Sequence, residues 1–256
     1  MRALPCLCLG LTLGCARAEG DPKPDPERSR EPAAAEGPLV LELFTSQGCS
    51  SCPPADDLLA RLARTGSLGD RPLAPLSFHV DYWNDLGWTD PYSSPAWTER
   101  QHQYAQAIGD DRVYTPELVV GGAAGMVGSN LAAVTDAIHR AAHPTLLAAT
   151  ARWAADAVTV TATAPRDAEV WVAIWEDGTR TRVARGENAG ETLVSERVVR
   201  HLQRVSPPGQ NASLAIRLDP AWHAAGAVAF AQRADRRILA SALLRRDAPP
   251  ARPRAP

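Results

Sequence analysis

Two cysteines three positions apart, Cys49 and Cys52, have the spacing of a redox-active Cys-x-x-Cys motif. The motif lies between an apolar run of strand length, Leu39–Phe44, and a helix-like run that begins at Pro53. Backbone N–H groups and the helix dipole at a helix N-terminus favour a thiolate there. We therefore interpret Cys49 as the attacking thiolate and Cys52 as the resolving thiol of thiol–disulfide exchange.

The motif also has two non-catalytic interpretations. One is an inert structural disulfide, which an oxidising compartment would preserve. The other is a metal site, although zinc normally takes four ligands and no second cysteine pair follows the motif. Copper could use the two thiolates together with His79 or Met126. We assign no metal ligand and no cofactor other than a redox-active Cys49–Cys52 disulfide.

The elements around the motif must hold it in place. After the first strand and helix, the sequence predicts a strand over Leu76–Trp83 and a helix that begins after Ser94. Thr115-Pro116 precedes a predicted hairpin, and Ser129 or Asn130 caps a last helix. This order resembles the thioredoxin fold.

The resemblance to thioredoxin-like proteins assigns roles to three further residues. In those proteins a cis-proline packs beside the redox cysteines, and the residue before it contacts an extended substrate. The resemblance therefore implies that Pro116 is cis and that Thr115 contacts substrate. Thioredoxin also buries an acid that moves protons to the resolving cysteine. Glu42 is either such an acid or a strand-edge carboxylate paired with an arginine.

Other ionisable residues near the motif have less specific roles in the sequence. His79 and Asp81 alternate on one face of the predicted second strand, as a proton-transferring pair or as hydrogen-bonded structural groups. Asp56 and Asp57 suit the helix dipole, and their charge would raise the pKa of the cysteines slightly.

A closer resemblance covers most of the chain beyond the N-terminus. The segments Leu43–Asp56, His79–Trp83, Ser94–Thr98, Val113–Pro116 and Arg185–Leu193 are similar to blocks of the DUF1223 family of exported bacterial thioredoxin-like proteins. The resemblance implies a thioredoxin-like fold and export from the cytoplasm. It implies no particular substrate.

The predicted fold class is an α/β thioredoxin-like domain followed by an all-β, sandwich-like domain. We place the first domain at 38–144 and the second at 145–246, where the apolar period changes to two. A disordered linker at 19–37, rich in Pro, Glu, Arg and Ala, precedes them, and a disordered tail at 247–256 follows.

The first 18 residues have the features of a signal peptide: Arg2, an apolar run over Leu4–Leu13 and a small-x-small site at Ala16–Ala18. An alternative uses Cys15 as a lipoprotein anchor. We expect a periplasmic or secreted protein, with no later segment apolar enough to span a membrane. The net charge of −2 argues against nucleic acid as a partner.

The sequence therefore predicts a cell-envelope thiol–disulfide oxidoreductase that acts on protein thiols or disulfides, with a membrane redox partner as a further candidate. The direction of electron flow stays open, because the Ser50-Ser51 pair between the cysteines differs from the Gly-Pro of thioredoxin. The alternative function is a non-catalytic module that binds copper, zinc or a partner and has a structural CxxC.

Overall fold

A computed structural model of the chain describes residues 35–110, 112–222 and 225–246. The predicted signal peptide, Cys15, the tail at 247–256 and the linker up to residue 34 lie outside these residues. The last linker residues are bonded to the folded unit. The N–H of Gly37 donates to the carbonyl of Pro144 at 2.9 Å, and Glu36 forms an isolated bridge with Thr145.

Eighteen regular elements make up the described part of the chain. The helices are α1 (Pro53–Thr65), α2 (Pro95–Ile108) and α3 (Leu131–Arg140). The strands are β1 (Leu39–Thr45), β2 (Ser67–Leu68), β3 (Arg71–His79), β4 (Glu117–Val120), β5 (Ala124–Val127), β6 (Thr145–Leu146), β7 (Ala149–Trp153), β8 (Ala157–Thr163), β9 (Glu169–Glu176), β10 (Thr179–Arg182), β11 (Thr192–Ser195), β12 (Val198–Ser206), β13 (Asn211–Arg217), β14 (Gly226–Gln232) and β15 (Ile238–Leu244).

One large mixed sheet organises the molecule. Its strands follow the order β5-β4-β1-β3-β12-β9-β14-β15-β6, with β2 paired to β3. β1 runs parallel to β3 and antiparallel to β4. A three-stranded antiparallel sheet, β13-β8-β7, and the β10-β11 pair complete the strands. The protein is thus a mixed α/β protein with one large sheet and small antiparallel sheets.

The strands of the predicted sandwich region are divided between these sheets. β9, β12, β14 and β15 extend the large sheet, because β12 pairs in parallel with β3 where Val198 meets Ser77. The small sheet of β7, β8 and β13 packs on this extension through a shared apolar cluster. The period of two predicted β8, β9, β13, β14 and β15 but missed β12, which joins the two halves of the sheet. The partners of all these strands depend on pairings far apart in the sequence.

The two faces of β1 contact different helices, and this separation positions the site. Odd-numbered residues such as Leu41 and Leu43 pack with apolar residues of α1 and α3. Even-numbered residues such as Phe44 pack with Trp97 and Tyr104 of α2. Because side chains alternate along a strand, the residue number alone says which helix a β1 side chain faces.

Local signals fix where α1 and α2 begin and end. Pro53 and Pro54 occupy the first turn of α1, where no N–H is needed. Gly66 ends this helix in the left-handed region at φ 68°, and its N–H donates to Leu62. Ser94 caps α2 by accepting a hydrogen bond from the N–H of Ala96.

Candidate redox site

Cys49 and Cys52 form a disulfide at the start of α1, with their Cα atoms 5.4 Å apart. Cys52 is the N-cap residue of the helix, and its side chain makes no capping hydrogen bond. The hydroxyl of Ser51 lies 3.4 Å from the sulfur of Cys49. Both cysteines are 0% exposed, whereas Ser50 and Ser51 face solvent.

A loop far along the chain covers the motif. The side-chain amide of Asn188 donates to the carbonyl of Gln47 at 2.9 Å and to that of Cys49 at 3.0 Å. Asn188 is itself buried. We call the segment Arg185–Gly190, between β10 and β11, the capping loop.

A second residue of the capping loop binds the exposed part of the motif. The N–H of Ser50 donates to the carboxylate of Glu187 at 3.0 Å. This bond and one from the Ser50 side chain lower the pKa of Glu187. The loop also approaches a neighbouring turn, since Gly186 packs against Gly87 and Trp88. The motif is therefore held from outside by residues almost 140 positions later in the chain.

Thr115 and Pro116 lie at the same end of the sheet as the motif. Their peptide bond is cis, which the resemblance to thioredoxin-like proteins implied. The indole N–H of Trp83 donates to the hydroxyl of Thr115 at 2.8 Å. The same tryptophan backs the motif, because a Cβ on Gly48 would lie 3.1 Å from its Cβ. Contact of Thr115 with substrate stays a prediction.

Glu42 is ion-paired on the α2 face of the sheet. Arg100 donates to it through Nε at 2.6 Å and through a terminal nitrogen at 3.0 Å, and the Tyr104 hydroxyl also donates to it. The structure therefore contains the arginine pair that the sequence left open. The strand is not at an edge, however, because β1 lies between β3 and β4. Burial raises the pKa of Tyr104, and Glu42 acts in the same direction.

His79 pairs with Asp90 rather than with Asp81. The predicted His79–Asp81 alternation is wrong because β3 ends at His79, and Asp81 lies in the following turn. There Asp81 accepts a hydrogen bond from Thr98 instead. The Nδ1 atom of His79 lies 2.7 Å from the carboxylate of Asp90, and both side chains are buried.

Asp56 lies on the first turns of α1 and points back toward the sheet. The hydroxyl of Thr45, at the end of β1, donates to its carboxylate at 3.1 Å. Burial raises the pKa of Asp56 from 3.8 to about 7, against the opposing charge of His79. Asp57, its neighbour in sequence, is exposed.

No group of three or more His, Cys, Asp or Glu among the described residues is arranged to hold an ion. Met126 packs at the edge of the apolar cluster of α1 and α3. In the same described part, no helix is long and apolar enough to cross a membrane.

Sequence reasoning found the two cysteines and missed most of their surroundings. Asn188 and Glu187 had one signal, because they lie in the Arg185–Leu193 block that resembles the DUF1223 family. Asp90 and Arg100 had none, since nothing local distinguishes a buried pair from a surface charge.

Comparison with known proteins identifies similar sequences and folds. The model of a family described as "Protein of unknown function (DUF1223)" matches residues 40–232. Protein AGR_C_4864 from Agrobacterium tumefaciens, known from an X-ray crystal structure, is 28% identical, with a TM-score of 0.64. That alignment covers 84% of this chain and 98% of the Agrobacterium chain.

HBP35 of Porphyromonas gingivalis is similar in fold alone. It is 13% identical with a TM-score of 0.57, and the alignment covers 87% of this chain and 81% of HBP35. No curated protein matches the chain.

Proposed function

We propose that this chain, which belongs to the DUF1223 family, is a thiol–disulfide oxidoreductase of the cell envelope that acts on protein thiols or disulfides. The observation that carries the proposal is the Cys49–Cys52 disulfide at the first turn of α1. A thiolate formed there is stabilised by the N-terminal N–H groups and the dipole of the helix.

The arrangement of elements supports a thioredoxin-like site. β1 leads into the motif and α1, β3 and α2 follow, and a cis-proline precedes the β4-β5 pair and α3. In the β1–β4 register Phe44 faces Glu117, so the next pair along the strands is Thr45 and Pro116. The proline is thus next to the end of β1, from which the chain proceeds to Cys49.

The exchange reaction is two displacements at sulfur. A substrate thiolate attacks the sulfur of Cys49, the Cys49–Cys52 bond breaks, and a mixed disulfide forms between substrate and Cys49. Cys52 leaves as a thiolate and takes up a proton. A second substrate thiolate then displaces Cys49, so that the substrate pair is oxidised and the protein is reduced. The reverse sequence oxidises the protein.

Both cysteines are buried, so substrate access requires the surroundings of the motif to open, and the capping loop is bonded directly to the motif's backbone. The loop is held to the motif by two hydrogen bonds from Asn188 and by the bonding of Ser50 to Glu187. The two bonds from Asn188 contribute about 0.5–1.5 kcal/mol each, so local opening of the loop costs less than unfolding of the protein. We infer that the loop opens to expose Cys49 and closes over the resting disulfide.

The proposed location rests on the sequence of the N-terminus. A signal peptide at 1–18 would deliver the chain to a compartment where disulfides persist. Protein thiols or disulfides of that compartment are the proposed partners, and a membrane redox protein is the proposed source or sink of electrons.

Trapping with Cys52→Ala tests the proposal. Without the resolving thiol, Cys49 should retain a substrate as a stable mixed disulfide, whereas Cys49→Ala should retain none. The wild-type protein should also equilibrate with glutathione redox buffers. A folded protein whose disulfide resists dithiothreitol at neutral pH contradicts the proposal.

A static structural disulfide is the second candidate, and the complete burial of both sulfurs favours it. In that case the capping loop would protect the bond permanently. Reduction would then require unfolding, so its rate would rise with denaturant in proportion to global unfolding. Reduction that is fast in the absence of denaturant supports the oxidoreductase.

A further inference from the structure

A cavity of about 400 Å³ opens between the end of α3, the turn that joins β4 to β5, and the start of β15. Its apolar walls include Val120 and Ala124 of the β4-β5 hairpin, Ala137 of α3 and Leu239 of β15. Small-molecule sites in proteins typically have volumes of about 300–1,000 Å³ and mostly apolar linings with a few polar groups. The cavity therefore has the size and the lining of a site for a small ligand.

The cavity lies at the end of β1 that is remote from the disulfide. Gly121, in the β4-β5 turn, donates its N–H to the carbonyl of Val40 at 2.9 Å, near the start of β1. The Cys49–Cys52 motif instead follows the last residue of this strand, Thr45. Val40 and Thr45 are roughly 16 Å apart, at about 3.3 Å of rise per residue. A ligand in the cavity would thus be separate from the redox site.

Backbone contacts hold the rim of the cavity in place. The N–H of Ile238 donates to the carbonyl of Gly121 at 3.0 Å. Gly122 has a φ of 69°, and a Cβ at this position would collide with the carbonyl group of Arg236. Only glycine fits such a left-handed turn in close contact with another backbone segment. The same contact brings the backbone of Arg237 to the edge of the cavity.

The charged side chains that line the cavity are all arginines. They are Arg140, Arg233 and Arg237, and no acidic residue of the described chain lines it with them. Arg140 and Arg233 take part in ion pairs between exposed side chains, which contribute little to stability. The exposed side chain of Arg237 has no ion pair or hydrogen bond within the described residues. An anion could therefore bind here without displacing a buried partner.

We propose that this cavity binds an amphiphilic anion, a short apolar chain that ends in a carboxylate or a phosphate. The chain lies against Val120, Ala137 and Leu239, and the anionic head is bound by Arg237. A guanidinium forms paired hydrogen bonds with either kind of head. At the roughly 30 Å³ that a water-sized group occupies, the cavity holds about a dozen non-hydrogen atoms. The inference is independent of the proposed exchange reaction.

Three probes separate the contributions of the head and the chain. Octanoate has both, acetate has the head alone, and octanol has the chain alone. In isothermal titration calorimetry octanoate should bind one-to-one, about tenfold or more tightly than either of the others. Octanoate should also shift the amide NMR signals of Gly121, Ala141 and Leu239. Octanoate that does not saturate the protein, or that shifts only signals elsewhere, overturns the inference.

Two variants test the site, each with a matched control at an exposed position. Arg237→Gln removes the unpaired charge, and Ala124→Leu fills the cavity from an exposed residue of β5. Each should weaken octanoate binding by about tenfold. Arg217→Gln and Ala132→Leu make the same changes outside the cavity and should stay within about twofold of wild type. Equal affinities in the cavity variants and their controls contradict the proposed site.

Vesicles distinguish two sources of the anionic head. Cosedimentation with phosphatidylglycerol vesicles that is lost in Arg237→Gln assigns the site to a membrane lipid. Octanoate binding without cosedimentation assigns it to a free amphiphile. A protein that binds neither probe overturns the inference. Equilibration of the same preparation with glutathione buffers tests the oxidoreductase separately, so the two proposals can fail independently.

Discussion

Each face of the large sheet has a carboxylate packed beside β1, but the two carboxylates have different surroundings. On the α2 face, Glu42 receives bonds from Arg100 and Tyr104. On the α1 face, Asp56 receives one bond from Thr45 and keeps an oxygen without a partner among the described residues. Glu42 thus has donors for its charge, whereas Asp56 is left with one oxygen that no described residue stabilises.

Distance from the motif along the sequence did not predict which acidic residues lie on the α1 face. Glu42 is closer than Asp90 to the motif along the chain, yet its even position in β1 directs it away from α1. Asp56 lies on α1 and His79 at the end of β3, and both are on the α1 side of the sheet. Thr45 links them there, because it donates to Asp56 and is paired in register with His79. Strand alternation therefore separates the ion-paired carboxylate of Glu42 from the carboxylate of Asp56.

The largest expected effect is a loss of stability from a substitution on the α2 face. Glu42→Gln leaves the Arg100 guanidinium buried without its carboxylate, which should lower the free energy of unfolding by about 3–5 kcal/mol. Urea denaturation monitored by tryptophan fluorescence measures the loss. The Glu42→Leu, Arg100→Leu double variant should lose less than the single variant. Equal losses of stability in the single and double variants would mean that the unpaired Arg100 charge is not the cause of the destabilisation.

The next largest effect is a pH dependence of the free energy of unfolding, caused by Asp56 on the α1 face. Because the pKa of Asp56 is raised to about 7, the folded protein retains a proton there that the unfolded chain releases near pH 4. The stability from this proton is present below about pH 4 and is lost as the pH rises to 7, by up to about 4 kcal/mol. Asp56→Asn should therefore be more stable than wild type at pH 8.

Urea denaturation of the oxidised protein at pH 5 and pH 8 checks this sign, with Asp57→Asn as the control. The Asp56→Asn advantage should be larger at pH 8 than at pH 5. An Asp56→Asn variant that is less stable than wild type at pH 8 would show that the ionised carboxylate is stabilising, contrary to the buried environment described above.

A smaller effect is expected on the rate of disulfide reduction, at the capping loop. Asn188→Ala removes two hydrogen bonds to the motif, so the loop should open more often and dithiothreitol should reduce the disulfide about tenfold faster. Stopped-flow measurement of reduction tests this. Asn211→Ala is the control, because its amide binds only Thr163 on the exposed surface. Unchanged reduction in Asn188→Ala would mean that the loop does not limit access.

The smallest expected effect is on the pKa of the Cys49 thiol. Ser51→Ala removes the hydroxyl 3.4 Å from Cys49, and a thiolate that loses a hydrogen bond should show a pKa higher by about 0.5–1 unit. The pH dependence of Cys49 alkylation in the reduced protein measures it. Ser50→Ala, whose hydroxyl is bonded to Glu187, should have a smaller effect. Equal shifts of the Cys49 pKa in Ser51→Ala and Ser50→Ala would mean that the Ser51 hydroxyl does not specifically stabilise the thiolate.

The sequence was sufficient wherever the signal was local. The prolines and glycine around α1 set its limits, and the Ser94-Pro95 pair set the start of α2. The motif itself needed only its spacing and its flanks. These features depend on backbone geometry within a few residues, so one chain without homologues could predict them.

Only the tertiary structure decided which groups surround the cysteines. The sequence could not say that β12 would join β3, that Asn188 would bind the carbonyl of Cys49, or that Asp90 rather than Asp81 would pair with His79. Such contacts join residues far apart in the chain, and their energy depends on burial, which no local pattern records. The sequence thus determined the position of the motif and its helix, and the fold decided which groups bond to the motif from outside.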